Sequence, residues 1–228
     1  MFNIMKNQRV LLIITITILL TGCLGPKKIN KWIDGRYGES NNFKSKSQSD
    51  YLSVTSPFIT TDQKSSSTKK ETKNMLPLLF YWQYDYVNTC TLNPNIPINT
   101  FKSAVQSYSN AKGLKQKVGG QKIELTINKV PNLFVINDSG HIIRVIYAVS
   151  WDNVAFQPDN TDMDVSYKIM KDNIETKKGS VTVSNTDEIL GLKYLQSIKK
   201  ITGQYLDQYD ENIKLMSKQV VDQIIAAL

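Results

Sequence analysis

The stretch FYWQYDYVNTCTL, residues 80–92, decides the fold because two kinds of side chain alternate along it. One face carries aromatic and other apolar residues: Phe80, Trp82, Tyr84, Tyr86, Cys90 and Leu92. The other face carries polar residues: Gln83, Asp85, Thr89 and Thr91. A period of two with aromatic residues is typical of a β-strand that buries one face. The pattern therefore predicts a strand and places Cys90 on its buried side.

The four rings at the beginning of this strand allow two interpretations. The side chains of Phe80, Trp82, Tyr84 and Tyr86 could line a cleft for an acyl chain or a peptidoglycan sugar. Aromatic residues at strand spacing more often belong to the hydrophobic core, where they bury a large apolar area. The core interpretation is therefore favoured.

Downstream of the strand, the sequence predicts one helix and then four or five further strands. The helix has Asn99 as a favourable N-cap and Gly113 just after its end. Alternating apolar residues predict strands at residues 122–128, 133–136, 141–149, 164–170 and 174–183. The run Asn137-Asp138-Ser139-Gly140 is typical of a hairpin turn, and Gly179 indicates a β-bulge.

The last part of the chain predicts a long amphipathic helix. Ser184 or Asn185 would cap its start, and Gly203 is the expected place of a bend, because about 40 helical residues would span roughly 60 Å. The apolar stripe consists of Leu195, Ile198, Tyr205, Tyr209, Ile213, Met216, Val220 and Ile224. Together these elements predict an α+β domain over residues 79–228. We expect a mostly antiparallel sheet of about five strands, packed against one short helix and a long C-terminal helix.

Upstream of Leu79 the composition changes. Residues 40–50 and 60–74 are rich in Ser, Thr, Lys and Asn and have very few apolar side chains, so they cannot bury enough surface to fold. Residues 23–78 are therefore predicted to form a flexible basic tether. Within it, residues 51–59 are apolar enough to join the sheet as an edge strand or to bind a partner in extended form.

The net charge of +8 is unevenly distributed along the chain. Residues 24–78 contain ten Lys or Arg and five Asp or Glu, whereas residues 79–228 contain sixteen and fifteen. Because the predicted domain is nearly neutral, the basic composition does not indicate nucleic acid as a partner. The basic stretch would suit either an anionic membrane surface or a solvated linker.

The amino terminus has the three parts of a secretory signal peptide, predicted to cover residues 1–22. Lys6 and Arg9 give a positive start, residues 10–20 form an apolar run, and small residues follow it. The run is shorter than the roughly 20 residues that a membrane-spanning helix requires. It ends in Leu20-Thr21-Gly22-Cys23, which resembles the lipobox of bacterial lipoproteins.

The lipobox resemblance implies that Cys23 is a lipid-attachment site. It implies that a diacylglyceryl group is bonded to the cysteine sulfur, that the peptide bond before it is cut and that the new amino terminus is acylated, which anchors the protein stably. Leu24 stands where many such proteins carry an aspartate that retains them at the inner membrane. The resemblance therefore implies a protein exposed to the periplasm or the cell surface, on the outer membrane if the organism has one.

The order of elements over residues 79–228 is similar to that of small envelope lipoproteins. Among them are the lipopolysaccharide-assembly lipoprotein and the auxiliary lipoproteins of lipid-transport ABC systems. The resemblance concerns the order of helices and strands alone, so no functional residue is transferred from it.

The sequence contains no recognisable catalytic or metal-binding motif. His141 is the only histidine, and it follows an Asp-Ser-Gly turn too closely for a hydrolytic triad to form. His141 and Cys90 alone do not make a zinc site. An acidic cluster that lacks the spacing of a calcium loop consists of Asp159, Asp162 and Asp164. No catalytic residue, metal or cofactor is therefore predicted.

Two functions from different classes remain open. The favoured hypothesis is a membrane-anchored envelope lipoprotein that acts as a non-catalytic binding or assembly-accessory module for another envelope protein or an amphipathic ligand. The alternative is a small envelope hydrolase that uses a pair of carboxylates. The sequence does not identify that pair, because residues 79–228 contain fifteen acidic residues and nothing selects two of them.

Overall fold

A computed structural model describes residues 24–38, 49–144 and 148–228. The fold is α+β, as predicted. In chain order the described elements are α1 (Pro26–Tyr37), β1 (Leu52–Thr55), β2 (Ser66–Pro77), β3 (Tyr81–Leu92), α2 (Asn95–Ala111), α3 (Leu114–Lys117), β4 (Lys122–Lys129), β5 (Leu133–Arg144), β6 (Ala148–Pro158), β7 (Met163–Lys171), β8 (Ile174–Val183), β9 (Leu190–Gly191) and α4 (Ile198–Ala227).

The strands form two sheets rather than the single sheet that the sequence predicts. One sheet has the order β1-β4-β7-β8 and the other the order β2-β3-β5-β6-β9. Every pairing is antiparallel except that of β1 with β4. Strand alternation identifies strands but does not say which of them pair, so two sheets and one sheet give the same sequence pattern.

Helix α4 joins the two sheets into one hydrophobic core. It contacts β6 and β9 of the five-stranded sheet and β7 and β8 of the four-stranded sheet. The Tyr205 ring lies 4.8 Å from the Phe134 ring and 5.3 Å from the Phe156 ring, measured between centroids. All three side chains are fully buried, and such aromatic clusters supply much of the apolar area that a domain buries.

The C-terminal helix differs from the prediction at its start and in its shape. It begins after Ser197, whose side chain accepts a hydrogen bond from the Lys200 amide, and it continues without a break through Gly203. Residues 184–197 form a loop that includes β9, and the predicted cap Asn185 lies in this loop, where its side chain accepts a hydrogen bond from the Asp187 amide. The predicted stripe is buried from Tyr205 onward, whereas Leu195 is 90% exposed in the loop.

The predicted hairpin turn at residues 137–140 is wrong, since these residues lie inside β5. They pair with β3 on one side and with β6 on the other, so ladder hydrogen bonds override the local turn preference. Gly140 has a packing role instead: a Cβ atom there would lie 2.5 Å from the hydroxyl oxygen of Tyr84. The connection between β5 and β6 falls at residues 145–147, outside the described residues.

Gly179 has the same packing role rather than forming the predicted bulge. A Cβ atom at Gly179 would lie 2.6 Å from the Tyr167 hydroxyl oxygen, so the glycine makes room for that ring. The register shift in this hairpin lies nearby, where Ile169 pairs with Lys177 and Met170 pairs with Glu175.

The predicted tether is wrong over most of the region that the structure describes. Residues 66–77 form strand β2, which pairs with β3 along its whole length. Backbone ladder bonds need no apolar side chains, and lysine is common on strands that form the edge of a sheet. Residues 52–55 join the other sheet as edge strand β1, one of the two expectations for that stretch. Residues 39–48 lie outside the described residues.

Helix α1 also belongs to the folded body. It buries Ile29, Ile33 and Tyr37, and the Tyr37 hydroxyl donates a hydrogen bond of 2.9 Å to Asp210 of α4. Arg36 forms ion pairs of 2.7 Å with both Asp207 and Asp210. Helix α1 is therefore packed on the C-terminal helix rather than free of it.

Candidate functional site

The candidate site is the end of the five-stranded sheet that projects beyond the helices, which we call the overhang. It comprises residues 75–85, 139–144 and 148–153 of β2, β3, β5 and β6 and of the β2–β3 connection. Its inner face is the one that, further along the sheet, packs on α1 and α4. Its outer face is the opposite side of the sheet.

The burial of β3 shows where the helices stop covering the inner face. Cys90 and Asn88 are fully buried and Tyr86 is 8% exposed. Tyr84 and Trp82, the next inner-face residues toward the start of the strand, are only half-buried. The predicted strand is therefore confirmed, and Cys90 is buried as expected. The core interpretation of the aromatic face holds for Tyr86 and fails for the rings that precede it.

On the inner face of the overhang, the aromatic rings are held in fixed positions. The Tyr84 ring stacks on the Tyr86 ring at 5.2 Å between centroids, and the Tyr84 hydroxyl donates a 2.6 Å hydrogen bond to Asp152. The Arg144 guanidinium lies 4.8 Å from the centre of the Trp82 ring, a cation–π contact. These contacts fix an aromatic surface that solvent reaches.

The outer face carries a second group of rings. The Tyr81 hydroxyl and Nδ1 of His141 are 2.7 Å apart, and the two rings stack at 5.8 Å. Trp151 pairs with His141 across β5 and β6 and is 57% exposed. His141, expected just after a hairpin turn, thus lies within strand β5, where it positions the Tyr81 ring.

The tip of the overhang is the connection between β2 and β3, and it is entirely apolar. Leu79 is 83% exposed, the largest exposure among the apolar side chains of the overhang. The large apolar side chains exposed here are Met75, Leu76, Leu78, Leu79, Phe80, Ile143, Val149 and Trp151. Contiguous exposed apolar surface of this kind marks sites that contact a protein partner or a membrane.

The start of α1 lies beside the base of the overhang. The Lys70 Nζ atom lies 3.4 Å from the centre of the Tyr86 ring and donates a 3.5 Å hydrogen bond to the Leu24 carbonyl. Further along the helix, Asn30 accepts hydrogen bonds from Ser66 and Thr68, which precede Lys70 on β2. Helix α1 therefore runs away from the overhang, and Leu24 lies on the overhang side of it.

A buried carboxyl group also lies at the base of the overhang. Asp138 is 4% exposed, and burial raises the pKa of its carboxyl to about 6. The nearby carboxylates of Asp152 and Asp85 act in the same direction, while the Lys70 ammonium opposes them. Perturbed carboxyl groups occur both at functional sites and in structural networks.

The Cys90 thiol lies further along β3, in the hydrophobic core. Burial raises the pKa of the Cys90 thiol to about 12, and the Thr68 hydroxyl donates to its sulfur at 3.4 Å. A thiol of this kind is almost entirely protonated at neutral pH, so it is a poor nucleophile.

The three aspartates of the acidic cluster do not form a shared site. Asp162 accepts a hydrogen bond from the Asn185 amide, and Asp164 accepts one from the Asn128 side chain. Within residues 24–38, 49–144 and 148–228, no three His, Cys, Asp or Glu side chains are grouped so that they could hold a metal ion.

Two further findings concern the membrane. Cys23, the predicted lipid-attachment site, and the predicted signal peptide of residues 1–22 lie outside the described residues. None of the helices in the described part of the chain combines the length and the apolar character that crossing a membrane requires.

Comparison of the chain with protein-family models, with curated proteins and with solved structures finds no match.

Proposed function

We propose that this protein is a lipid-anchored protein of a bacterial envelope that acts as a non-catalytic binding or assembly-accessory module, with the overhang as its binding surface. The observation that carries the proposal is the overhang itself, which exposes apolar residues on both faces and at its tip. The lipobox at residues 20–23 supports the anchor.

The composition of the overhang supports binding. Trp and Tyr are enriched at binding hot spots, because they offer a large contact area and have few rotatable bonds to immobilise. The rings of Tyr84 and Tyr81 are already fixed by Asp152 and His141. A partner would therefore lose little entropy in ordering them.

One observation favours the alternative, a hydrolase that acts on envelope polymers. A carboxyl group with a pKa of about 6, such as that of Asp138, suits a general acid, and Asp152 could supply the second carboxylate. Asp138 is 4% exposed, however, and a general acid must reach the bond that it protonates. The binding function therefore has the stronger support.

The anchor is tested by growing cells with an alkyne fatty acid and detecting label on the purified protein. We expect label on the wild-type protein and on Cys90→Ser, and none on Cys23→Ser. The Cys90→Ser variant is the matched control, because it removes the other cysteine of the chain. Undiminished label on Cys23→Ser would contradict the proposal.

The binding surface is tested in the same cells with a photocrosslinking amino acid at position 79. The control position is Lys218, an exposed residue of α4. We expect position 79 to crosslink to an envelope protein or a lipid and position 218 to give no product. Equal absence of products at both positions would contradict a binding role of the overhang.

A further inference from the structure

We propose that the bilayer itself covers the inner face of the overhang, so that the sheet inclines along the membrane and its tip enters the lipid interface. This inference rests on the proposed lipid anchor at Cys23. It names the partner of one face of the overhang and leaves the outer face free.

The first step is the length of chain between the anchor and the body. Leu24 is 2% exposed and belongs to the hydrophobic core. Residue 23 is bonded to it, and consecutive Cα atoms are about 3.8 Å apart. A lipid on Cys23 therefore holds the folded body directly at the membrane surface.

The second step is the side of the sheet on which the anchor lies. Lys70, which binds the Leu24 carbonyl, points to the inner face, as does the Tyr86 ring beneath its ammonium group. Leu24 contacts Lys70 of β2, whereas Asn30, further along α1, contacts Ser66 and Thr68, which lie further from the overhang. The start of α1 therefore faces the overhang. The anchor thus lies on the inner side, at the base of the overhang.

The third step is the distance from the anchor to the tip. Pro77 lies seven positions after Lys70, and at about 3.4 Å per residue this corresponds to roughly 24 Å along the strand. If the strands stood upright with only the tip in the lipid, the glyceride on Cys23 would be held well above the headgroups. Both ends reach the bilayer only if the overhang inclines and turns its inner face toward the lipid.

The side chains of the inner face suit a lipid interface. Trp and Tyr are favoured at the headgroup level, where Trp82 and Tyr84 would lie. Arg144, held over the Trp82 ring, and Lys70 place positive charge beside the headgroups of anionic lipids. The exposed Leu79 at the tip would reach the beginning of the acyl region.

Tryptophan quenching tests the proposal, because the chain contains three tryptophans and two of them lie on opposite faces of the overhang. The full-length lipidated protein is reconstituted into phosphatidylcholine–phosphatidylglycerol vesicles with or without brominated acyl chains. One variant keeps only Trp82 (Trp32→Phe, Trp151→Phe), and its matched control keeps only Trp151 (Trp32→Phe, Trp82→Phe). We expect bromine to reduce Trp82 emission at least about two-fold and to leave Trp151 emission nearly unchanged.

The outcomes separate this inference from the proposed function. Protein that carries the fatty-acid label and floats with the vesicles, but whose Trp82 is not quenched, would overturn the inference and leave the anchor intact. Quenching of Trp151 equal to that of Trp82 would also overturn it, because the inner face would not be the one against the lipid. Protein that neither carries label nor floats would instead overturn the proposed function.

A second pair of variants, made in the Trp82-only protein, tests whether the tip contacts the lipid. Leu79→Asp in the Trp82-only protein should reduce quenching while flotation persists, because a charge at the tip opposes insertion. Lys218→Asp, at the exposed control position, should leave quenching unchanged. Equal quenching with and without Leu79→Asp would contradict contact of the tip with lipid. Capture of a protein at position 79 by photocrosslinking, with Trp82 unquenched, would assign the surface to a protein partner.

Discussion

The two halves of strand β3 carry the same kind of sequence and have opposite environments. In the second half, Cys90 and Leu92 are buried beneath the helices. In the first half, Trp82 and Tyr84 continue the same alternation but are only half-buried, and Phe80, just before the strand, is 59% exposed. Alternation therefore reveals the pleat of a strand but not the layer that covers it, because the covering layer comes from distant parts of the chain.

This difference leads to different expectations for mutations. In the body, removal of a side chain leaves a cavity within a packed core. In the overhang, the strands are stabilised by pairing with their neighbours, and an exposed side chain has few packing contacts to lose. Changes in the body should therefore affect stability, and changes in the overhang should affect binding.

The largest expected effect is that of Phe134→Ala in the body. The ring is fully buried between Phe156 and Tyr205, so its removal should lower the free energy of unfolding by about 3–5 kcal/mol. Trp151→Ala in the overhang removes a larger side chain that is 57% exposed and should cost less than about 1 kcal/mol. Urea unfolding measures both variants. Similar losses for the two would show that the overhang is packed like the body.

The second effect is the reactivity of cysteines in the two regions. Cys90 is fully buried and burial raises its thiol pKa to about 12, whereas a cysteine at position 79 would replace a side chain that is 83% exposed. A maleimide should modify Leu79→Cys in a Cys90→Ser background at least about 100-fold faster than it modifies Cys90 in the wild type.

The two rates are compared in native protein, and urea provides the control. Unfolding should make them nearly equal, because both thiols then reach solvent. Rapid modification of native Cys90 would contradict the burial of the second half of β3.

The fold class could be predicted from the sequence because strand and helix periods are local properties. The alternation predicts strands at residues 122–128, 164–170 and 174–183, and each corresponds to an observed strand. The wrong predictions concern segments whose secondary structure depends on contacts with distant parts of the chain. Residues 137–140 have the composition of a turn but lie between two strands, and residues 66–77 have the composition of a linker but pair with β3.

The candidate site was only half visible in the sequence. The alternation identifies the four rings of residues 80–86, but strand spacing alone favours the core for them. A better signal was available in Leu78-Leu79-Phe80, since three large apolar residues at a strand connection are unusual where polar turn residues prevail. The position of Leu24 beside Lys70 could not be predicted, because it depends on how α1 docks across the chain.

The smallest effect concerns Asp138, which lies at the boundary between the two regions. In the folded protein its carboxyl has a pKa of about 6, above the usual value of 3.8, chiefly because burial disfavours the charge. Below about pH 3 the carboxyl is largely neutral in both the folded and the unfolded chain, so its burial has little effect on stability there. Between pH 4 and pH 6 the unfolded chain releases its proton first, so the folded state loses stability as the pH rises.

Asp138→Asn should therefore stabilise the protein above pH 6 and have little effect near pH 4. The full pKa difference corresponds to about 3 kcal/mol, and with screening by solvent we expect a gain of about 1–2 kcal/mol at pH 8. Urea unfolding between pH 4 and pH 8 measures the difference from the wild type. Asp34→Asn, which makes the same chemical change at an exposed position of α1, is the control. Asp152→Asn removes a neighbouring negative charge, so it should lower the pKa of Asp138. The loss of stability with rising pH should then begin at a lower pH than in the wild type. If the difference in free energy of unfolding between Asp138→Asn and the wild type stayed constant from pH 4 to pH 8, Asp138 would have its ordinary pKa. The base of the overhang would then be as open to water as its tip.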